Sequence, residues 1–160
     1  MKTSRGGPSA SAAHIAQQLS GRLPGLSAKQ TQKLARIAKE RSYAAGTAIF
    51  NSGDEAKEIY MLLRGRIALR AKFGTYVDTI TLSEVSPMEF FGWSSLTDKQ
   101  TKTASAEVVE DAEVLAFHAK ELLALCDADP ALGYVVMRAL LGTVSQRLIS
   151  TRHWILDLLT

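Results

Sequence analysis

The sequence predicts a mainly β fold, an antiparallel β-roll or jelly roll, with short N-terminal helices before it and a long C-terminal helix after it. Between residues 43 and 118, short apolar segments alternate with glycine and polar turns, which is typical of short antiparallel strands. On both sides of this region the apolar residues recur at the period of a helix. With 160 residues and 46% apolar content, the chain can bury the core of one domain.

Composition and charge argue against several classes of function. No apolar run approaches the ~20 residues of a membrane span, and no apolar segment near the N-terminus indicates a secretory signal. We therefore expect a cytoplasmic protein without a membrane partner. The net charge of +3 comes from basic residues that are interleaved with acidic ones, which favours a solvated surface over direct nucleic acid binding.

The residue pattern also gives no support for catalysis or a metal site. His14, His118 and His153 are isolated, without a second ligand at the spacing of a metal motif. Residues 92–96 begin like a nucleophile elbow but lack its final glycine, and Cys126 lies among leucines, as a small core residue does. We expect a non-enzymatic protein with no catalytic residue and no metal.

N-terminal helices are predicted over residues 14–42. Residues 1–13 have no apolar period and are predicted to be a disordered lead-in. A first helix is expected over residues 14–19. Ser27 is the expected N-cap of a second helix that continues to about Arg41.

The β-roll is predicted over residues 43–118. Arg64 and Gly65 separate two alternating apolar runs, so we expect a turn there and a hairpin with one apolar face. The expected strands cover residues 47–50, 58–63, 66–71, 77–82, 104–109 and 113–117.

Two helices are predicted over residues 119–160. The first covers residues 120–126, and Asp129 followed by Pro130 starts the second, which no further proline interrupts. At 1.5 Å per residue a helix over 130–158 is roughly 43 Å long, longer than a domain of this size is wide.

This long helix carries two apolar stripes. One stripe has the alternating steps of three and four of a coiled-coil seam, and a second stripe beside it contains Val136, Leu140 and Trp154. One stripe can cover the β-roll and the other a partner. We predict that the helix over 130–158 is a dimerisation helix that joins two copies of the chain in a homodimer. The seam residues are Tyr134, Met137, Leu141, Val144, Leu148, Thr151, Ile155 and Leu158.

Residues 89–106 are the stretch around which the chain is organised. An aromatic pair precedes Gly92, residues that can cap a helix follow it, and a polar loop leads through Lys102 into another strand-like run. Backbone N–H groups at a helix start, with a lysine nearby, can hold an anion, although glycine, serine and lysine also make ordinary loops. The candidate ligand-binding residues are Phe91, Gly92, Trp93, Ser94, Ser95, Lys102, Thr103 and Ser105.

In combination these motifs resemble the cyclic nucleotide-binding domain of the superfamily that includes the catabolite activator and the fumarate and nitrate reduction regulator. The resemblance implies a β-roll whose phosphate-binding cassette, residues 89–106, holds a nucleotide, and a long helix that dimerises and closes over the ligand. The Phe-Gly-Trp-Ser-Ser-Leu form is similar to stand-alone domains without a settled ligand. The matching segments are 43–50 with Gly53 and Asp54, 59–67, Phe91 with Gly92, and 103–106 with Glu110 and Asp111.

Two positions depart from the ligand-binding members that the chain resembles. In those members a glutamate after the Phe-Gly pair accepts the ribose 2′-hydroxyl, whereas here Trp93 stands at that position. The arginine that pairs with the cyclic phosphate aligns with Lys102, a point charge rather than a two-pronged fork. We therefore expect cyclic AMP to bind much more weakly than in those members, or not at all.

The leading hypothesis is a cytoplasmic, homodimeric and non-enzymatic sensor or regulatory module whose ligand is a cyclic nucleotide or another phosphorylated small molecule. One alternative is a degenerate module that binds no nucleotide and acts through protein contacts of its long helix. The other is the truncated sensor domain of a transcription regulator. The resemblance places a helix-turn-helix domain after the long helix in such regulators, and the sequence ends at Thr160, without room for one.

Overall fold

The computed structural model describes residues 12–72 and 79–160, so nearly all of the predicted lead-in and part of the predicted strand 77–82 lie outside the described residues. The predicted fold class is confirmed, because an antiparallel sheet is flanked by short N-terminal helices and a long C-terminal helix. The elements are α1 (Ala12–Ser20), α2 (Ala28–Ile37), β1 (Ala38–Tyr43), β2 (Ala48–Phe50), β3 (Glu58–Lys72), β4 (Thr79–Val85), β5 (Phe90–Phe91), a 3₁₀ helix (Trp93–Leu96), β6 (Ser105–His118), α3 (Ala119–Ala128) and α4 (Pro130–Leu159).

The second N-terminal helix is shorter than predicted. Its start at Ser27 is confirmed, since the Ser27 hydroxyl accepts a hydrogen bond from the Gln30 amide and the Gln30 side chain accepts one from the Ser27 amide. The predicted end at Arg41 is wrong, because α2 ends at Ile37 and β1 follows directly. In β1 the backbone pairs with β6, and the Arg41 guanidinium makes two hydrogen bonds to Glu58, at 2.9 and 2.8 Å. This tertiary pairing overrides the helical pattern.

The strands β3 and β6 are each longer than predicted and pair with each other. The ladder runs antiparallel from Glu58 opposite His118 to Arg70 opposite Ser105. Sequence reasoning divided β3 into 58–63 and 66–71, and divided β6 into 104–109 and 113–117. The predicted hairpin at Arg64 and Gly65 is therefore wrong, because both apolar runs of β3 pair with β6 instead of with each other.

Gly65 is the residue at which the β3–β6 ladder bends. Its φ is +97°, and the register with β6 shifts between Leu62 and Ile67. A Cβ atom on Gly65 would collide with the Asp111 carbonyl oxygen and with Ala112. The glycine thus marks a β-bulge inside a continuous strand.

Both faces of the first half of β3 are buried. Ile59, Met61 and Leu63 contact one hydrophobic cluster, which includes residues of all four α-helices. Tyr60 and Leu62 point to the other face and belong to a second cluster, which lies within the β-roll. This two-sided burial explains why the first half of β3 is almost continuously apolar.

The first part of α4 packs in the core of the domain. Asp129 caps it by accepting a hydrogen bond from the Leu132 amide, and the buried residues are Leu132, Gly133, Val136 and Leu140. Several apolar side chains of the predicted seam are exposed, with Leu141 at 67% and Leu148 at 68%. Within residues 12–72 and 79–160, no helix is long and apolar enough to cross a membrane.

Replacement of Gly65 by alanine is expected to lower the free energy of unfolding by about 2–5 kcal/mol, because the new Cβ adds left-handed strain and overpacks the bulge. Gly53 is the matched control, since its φ is +90° but no atom of the described residues, apart from its chain neighbours, lies within 4 Å of the Cβ position. Alanine there should cost only about 1–2 kcal/mol. Urea denaturation followed by circular dichroism measures both values. Equal losses for the two variants would contradict the assignment of a crowded bulge.

Candidate functional site

The predicted cassette contains a tight turn at Gly92. β5 pairs with β3, and the backbone then turns at Gly92, where φ is +76°, into the 3₁₀ helix. A Cβ atom on Gly92 would lie 3.0 Å from the Lys102 Nζ atom and 3.2 Å from the rings of Phe50 and Tyr60. Glycine is needed here both for the positive φ and for the close approach of these side chains.

Lys102 is buried behind this turn, with an exposed fraction of 4%. Its ammonium donates hydrogen bonds to the Glu58 carbonyl oxygen at 2.6 Å and to the Gly92 carbonyl oxygen at 2.8 Å. It also lies 4.6 Å from the Phe50 ring centroid and 5.6 Å from that of Tyr60. Burial lowers the pKa of Lys102 to about 8, and the nearby Glu58 charge opposes this shift. These contacts attach the cassette to the start of β3.

A cavity of about 320 Å³ lies between the cassette, the roll and α4. Five of the candidate residues line it, namely Gly92, Trp93, Ser94, Lys102 and Thr103. The remaining lining residues come from strands β2, β3 and β4, from the loop before β6 and from α4. They are Phe50, Leu69, Leu82, Ser83, Ala104, Val144, Arg147, Leu148 and Thr151.

Three candidate residues lie elsewhere. Phe91 is fully buried and stacks on Tyr60, with ring centroids 5.1 Å apart, so it supports the cassette from the core. The Ser95 hydroxyl donates to the Gly92 carbonyl oxygen at 3.1 Å. The Ser105 hydroxyl accepts a hydrogen bond from the Ser52 amide at 2.9 Å. These hydroxyl groups stabilise the loops around the cassette.

Arg147, on α4, is a cavity residue that sequence reasoning missed. Its guanidinium donates to the Phe90 carbonyl oxygen at 2.7 Å, lies 3.6 Å from the Glu89 carboxylate and stands 4.5 Å over the Trp93 ring. The side chain is only 11% exposed, and its Nε atom is buried without a hydrogen-bond partner among the described residues. Burial lowers the pKa of Arg147 to about 10, although the Glu89 charge opposes the shift.

A sequence signal for Arg147 was available. Arg147 follows Leu140 by seven positions, so it continues the stripe of α4 that packs on the domain through Val136 and Leu140. A charged residue on a core-facing stripe indicates a buried partner or a ligand site.

The charge distribution of the cavity suits an anion. Among the described residues that line it, the ionisable side chains are Lys102 and Arg147, and none is a carboxylate. Most of the other lining side chains are aliphatic or aromatic, including Phe50 and Trp93. The cavity can therefore accommodate an apolar or aromatic body that carries negative charge.

Comparison with known proteins identifies the family of this fold. A model of the cyclic nucleotide-binding domain matches residues 40–129. The cyclic AMP receptor protein of Thermus thermophilus is 34% identical over 102 residues, which cover 63% of this chain and 46% of that protein. The superfamily resemblance noted in the sequence is thus confirmed.

Two further similarities differ in what they show. A cyclic nucleotide-binding domain from Methylobacillus flagellatus has a TM-score of 0.82 at 17% identity, covering 97% of this chain and 88% of that one, which shows the fold alone. Glutaminase 1 of Bradyrhizobium diazoefficiens is 30% identical over 129 residues, which cover 79% of this chain but 20% of that protein. The chain thus spans less than half the length of either curated relative.

The burial of Lys102 should make stability depend on alkaline pH. The pKa falls from 10.5 in the unfolded chain to about 8 in the folded one, so between these values the unfolded chain binds more protons. The free energy of unfolding should therefore rise with pH across this window. In Lys102→Met this contribution disappears, and in Lys99→Met, an exposed control, it remains. Urea denaturation at pH 7.5, 9 and 10.5 measures the slopes. Equal slopes for wild type and Lys102→Met would contradict the prediction.

Proposed function

We propose that this chain, which belongs to the cyclic nucleotide-binding domain family, is a non-enzymatic sensor module that binds a cyclic nucleotide or another phosphorylated small molecule. The observation that carries the proposal is the position of the 320 Å³ cavity. One wall is the cassette, with Gly92 and Trp93, and the opposite wall is α4, with Arg147 and Leu148. A ligand in this cavity contacts the same helix that extends beyond the domain.

The second part of the proposal is a parallel homodimer through α4. The exposed residues Leu141, Leu148 and Leu158 lie on the predicted seam, with exposed fractions between 65% and 68%. An apolar stripe of this length is best covered by an identical helix, because its period of three and four steps matches a coiled coil. A cytoplasmic location and the lack of direct nucleic acid binding stay predictions.

One observation favours a second candidate function, a degenerate module that acts only through protein contacts. The Lys102 ammonium is already bonded to two backbone carbonyls, and Trp93 replaces the acidic acceptor of the ligand-binding relatives that the sequence resembles. Two polar anchors of a cyclic nucleotide are therefore altered. In this candidate the homodimer forms but no nucleotide binds.

Titration with cyclic AMP, cyclic GMP and cyclic di-GMP separates the two candidates. A ligand of the cavity should raise the melting temperature, with stabilisation of about 2.7 kcal/mol at a concentration of 100 Kd. Ala104→Phe fills the cavity wall and should abolish the shift, whereas Ala44→Phe, at an exposed position, should retain it. Thermal denaturation and calorimetry provide the measurement.

Two outcomes of this titration would contradict the nucleotide-binding module or its expected affinity. No shift with any of these or other phosphorylated metabolites would favour the degenerate module. Cyclic AMP binding with a Kd tighter than about 1 μM, or about −8 kcal/mol, would contradict the weak affinity expected from Trp93 and Lys102.

Leu141→Glu is expected to dissociate the dimer, because it buries an unpaired carboxylate at the seam at a cost of about 3 kcal/mol or more. Leu141 is preferable to Leu148, because Leu148 also lines the cavity. Gln146→Glu is the control, since it adds the same charge to an exposed position on the opposite side of α4. Multi-angle light scattering gives the mass of each variant. A wild-type chain that remains monomeric at high concentration would refute the dimer.

A further inference from the structure

The two cations of the cavity differ in how much of their hydrogen-bonding capacity is used. Lys102 has three N–H donors, and two of them are bonded to backbone carbonyls, while its Nζ atom lies 4.6 Å from the Phe50 ring centroid. Arg147 has five donors, and among the described residues the hydrogen bond that it makes within 3.5 Å goes to the Phe90 carbonyl. Arg147 is therefore the cation that has N–H groups available to donate to an anionic ligand.

The contact between Arg147 and Glu89 is too weak to fill that capacity. The closest nitrogen and oxygen atoms are 3.6 Å apart, beyond the range of a charge-assisted hydrogen bond. The Glu89 side chain is 34% exposed, so water screens its charge. The Nε atom of Arg147 is meanwhile buried without a partner among the described residues. Burial has removed this guanidinium from water, and the protein replaces only part of its hydrogen bonds to water.

We propose that Arg147 is the anion-binding residue of the cavity and that Glu89 competes with the ligand for it. The inference rests on the proposed function, and it assigns the anionic group of the ligand to α4 rather than to the lysine of the cassette. Because Phe50, Trp93 and Leu148 form apolar and aromatic walls, the cavity favours a ligand whose remaining part is planar and apolar. The chemical class is an aromatic anion, such as an aryl phosphate or sulfonate.

This assignment has a mechanical consequence. Arg147 now holds α4 against the cassette through the Phe90 carbonyl and the Trp93 ring. An anion that takes over the guanidinium replaces those contacts with contacts to itself. The attachment of α4 to the cassette then depends on whether the ligand is bound. The difference in free energy between the two sets of Arg147 contacts couples ligand binding in the cavity to the position of α4.

A matched pair of fluorescent probes tests the inference. The aromatic sulfonate 1-anilinonaphthalene-8-sulfonate has both features of the proposed ligand, and N-phenyl-1-naphthylamine has the same rings without the charge. Arg147→Met should weaken binding of the sulfonate at least tenfold, roughly the value of a charge-assisted hydrogen bond. The neutral probe should change by less than about twofold, since the cavity walls remain. Fluorescence titration of the full chain gives each Kd.

Three further variants control the experiment. Arg152→Met removes an exposed arginine from the same helix and should leave both affinities unchanged. Ala104→Phe should abolish binding of both probes, which locates them in the cavity. Glu89→Gln removes the competing charge and should strengthen sulfonate binding by about threefold, which is the effect expected for the loss of a partly screened ion pair. The affinity for the neutral probe should not change. A purely structural role of Arg147 would not produce this opposite sign.

The outcomes distinguish failure of this inference from failure of the proposed function. Unchanged sulfonate binding in Arg147→Met, with loss of binding in Ala104→Phe, overturns the role of Arg147 but leaves the cavity as a ligand site. Loss of both probes in Arg147→Met also overturns it, because Arg147 then maintains the cavity instead of binding the anion. If neither probe binds the wild type, the inference fails, and the nucleotide titration still decides the proposed function.

Discussion

The antiparallel pairing of β3 with β6 is the interaction on which the rest of the structure depends. The ladder runs from Glu58 opposite His118 to Arg70 opposite Ser105 and bends at the Gly65 bulge. Because both faces of the first half of β3 are buried, this ladder separates a cluster shared with the helices from a cluster inside the roll. β5 pairs with β3, so the position of the cassette is set by the same ladder.

Desolvation gives the two cations near the cassette different roles. A buried charge needs partners to replace water, and Lys102 finds them in two backbone carbonyls and two aromatic rings. It thereby fixes the turn at Gly92. Arg147 finds a single carbonyl, an aromatic face and a distant carboxylate. The better-satisfied cation is part of the architecture, and the less satisfied one is available to a ligand.

The long helix α4 contacts the core and the cavity and also carries the predicted seam. Its first turns are part of the core through Leu132 and Val136, and its later turns expose the apolar seam. Arg147 lies in the later turns, on the side that faces the cassette. Leu148, the next residue, is exposed and also lines the cavity. In the proposed function, ligand binding and helix pairing therefore affect adjacent residues of one helix, which is a short physical route between the two events.

The sequence by itself determined the features that depend on neighbouring residues: the mainly β fold class, the Ser27 cap, and the start of α4 at Asp129 and Pro130. It also placed Gly92 and Trp93 in the cassette that lines the cavity. Tertiary structure decided the continuity of β3 through Gly65, the carbonyl partners of Lys102 and the approach of Arg147 to Trp93. Turn residues and apolar periods report local preference, whereas strand pairing and the compensation of a buried charge depend on groups far away in the chain.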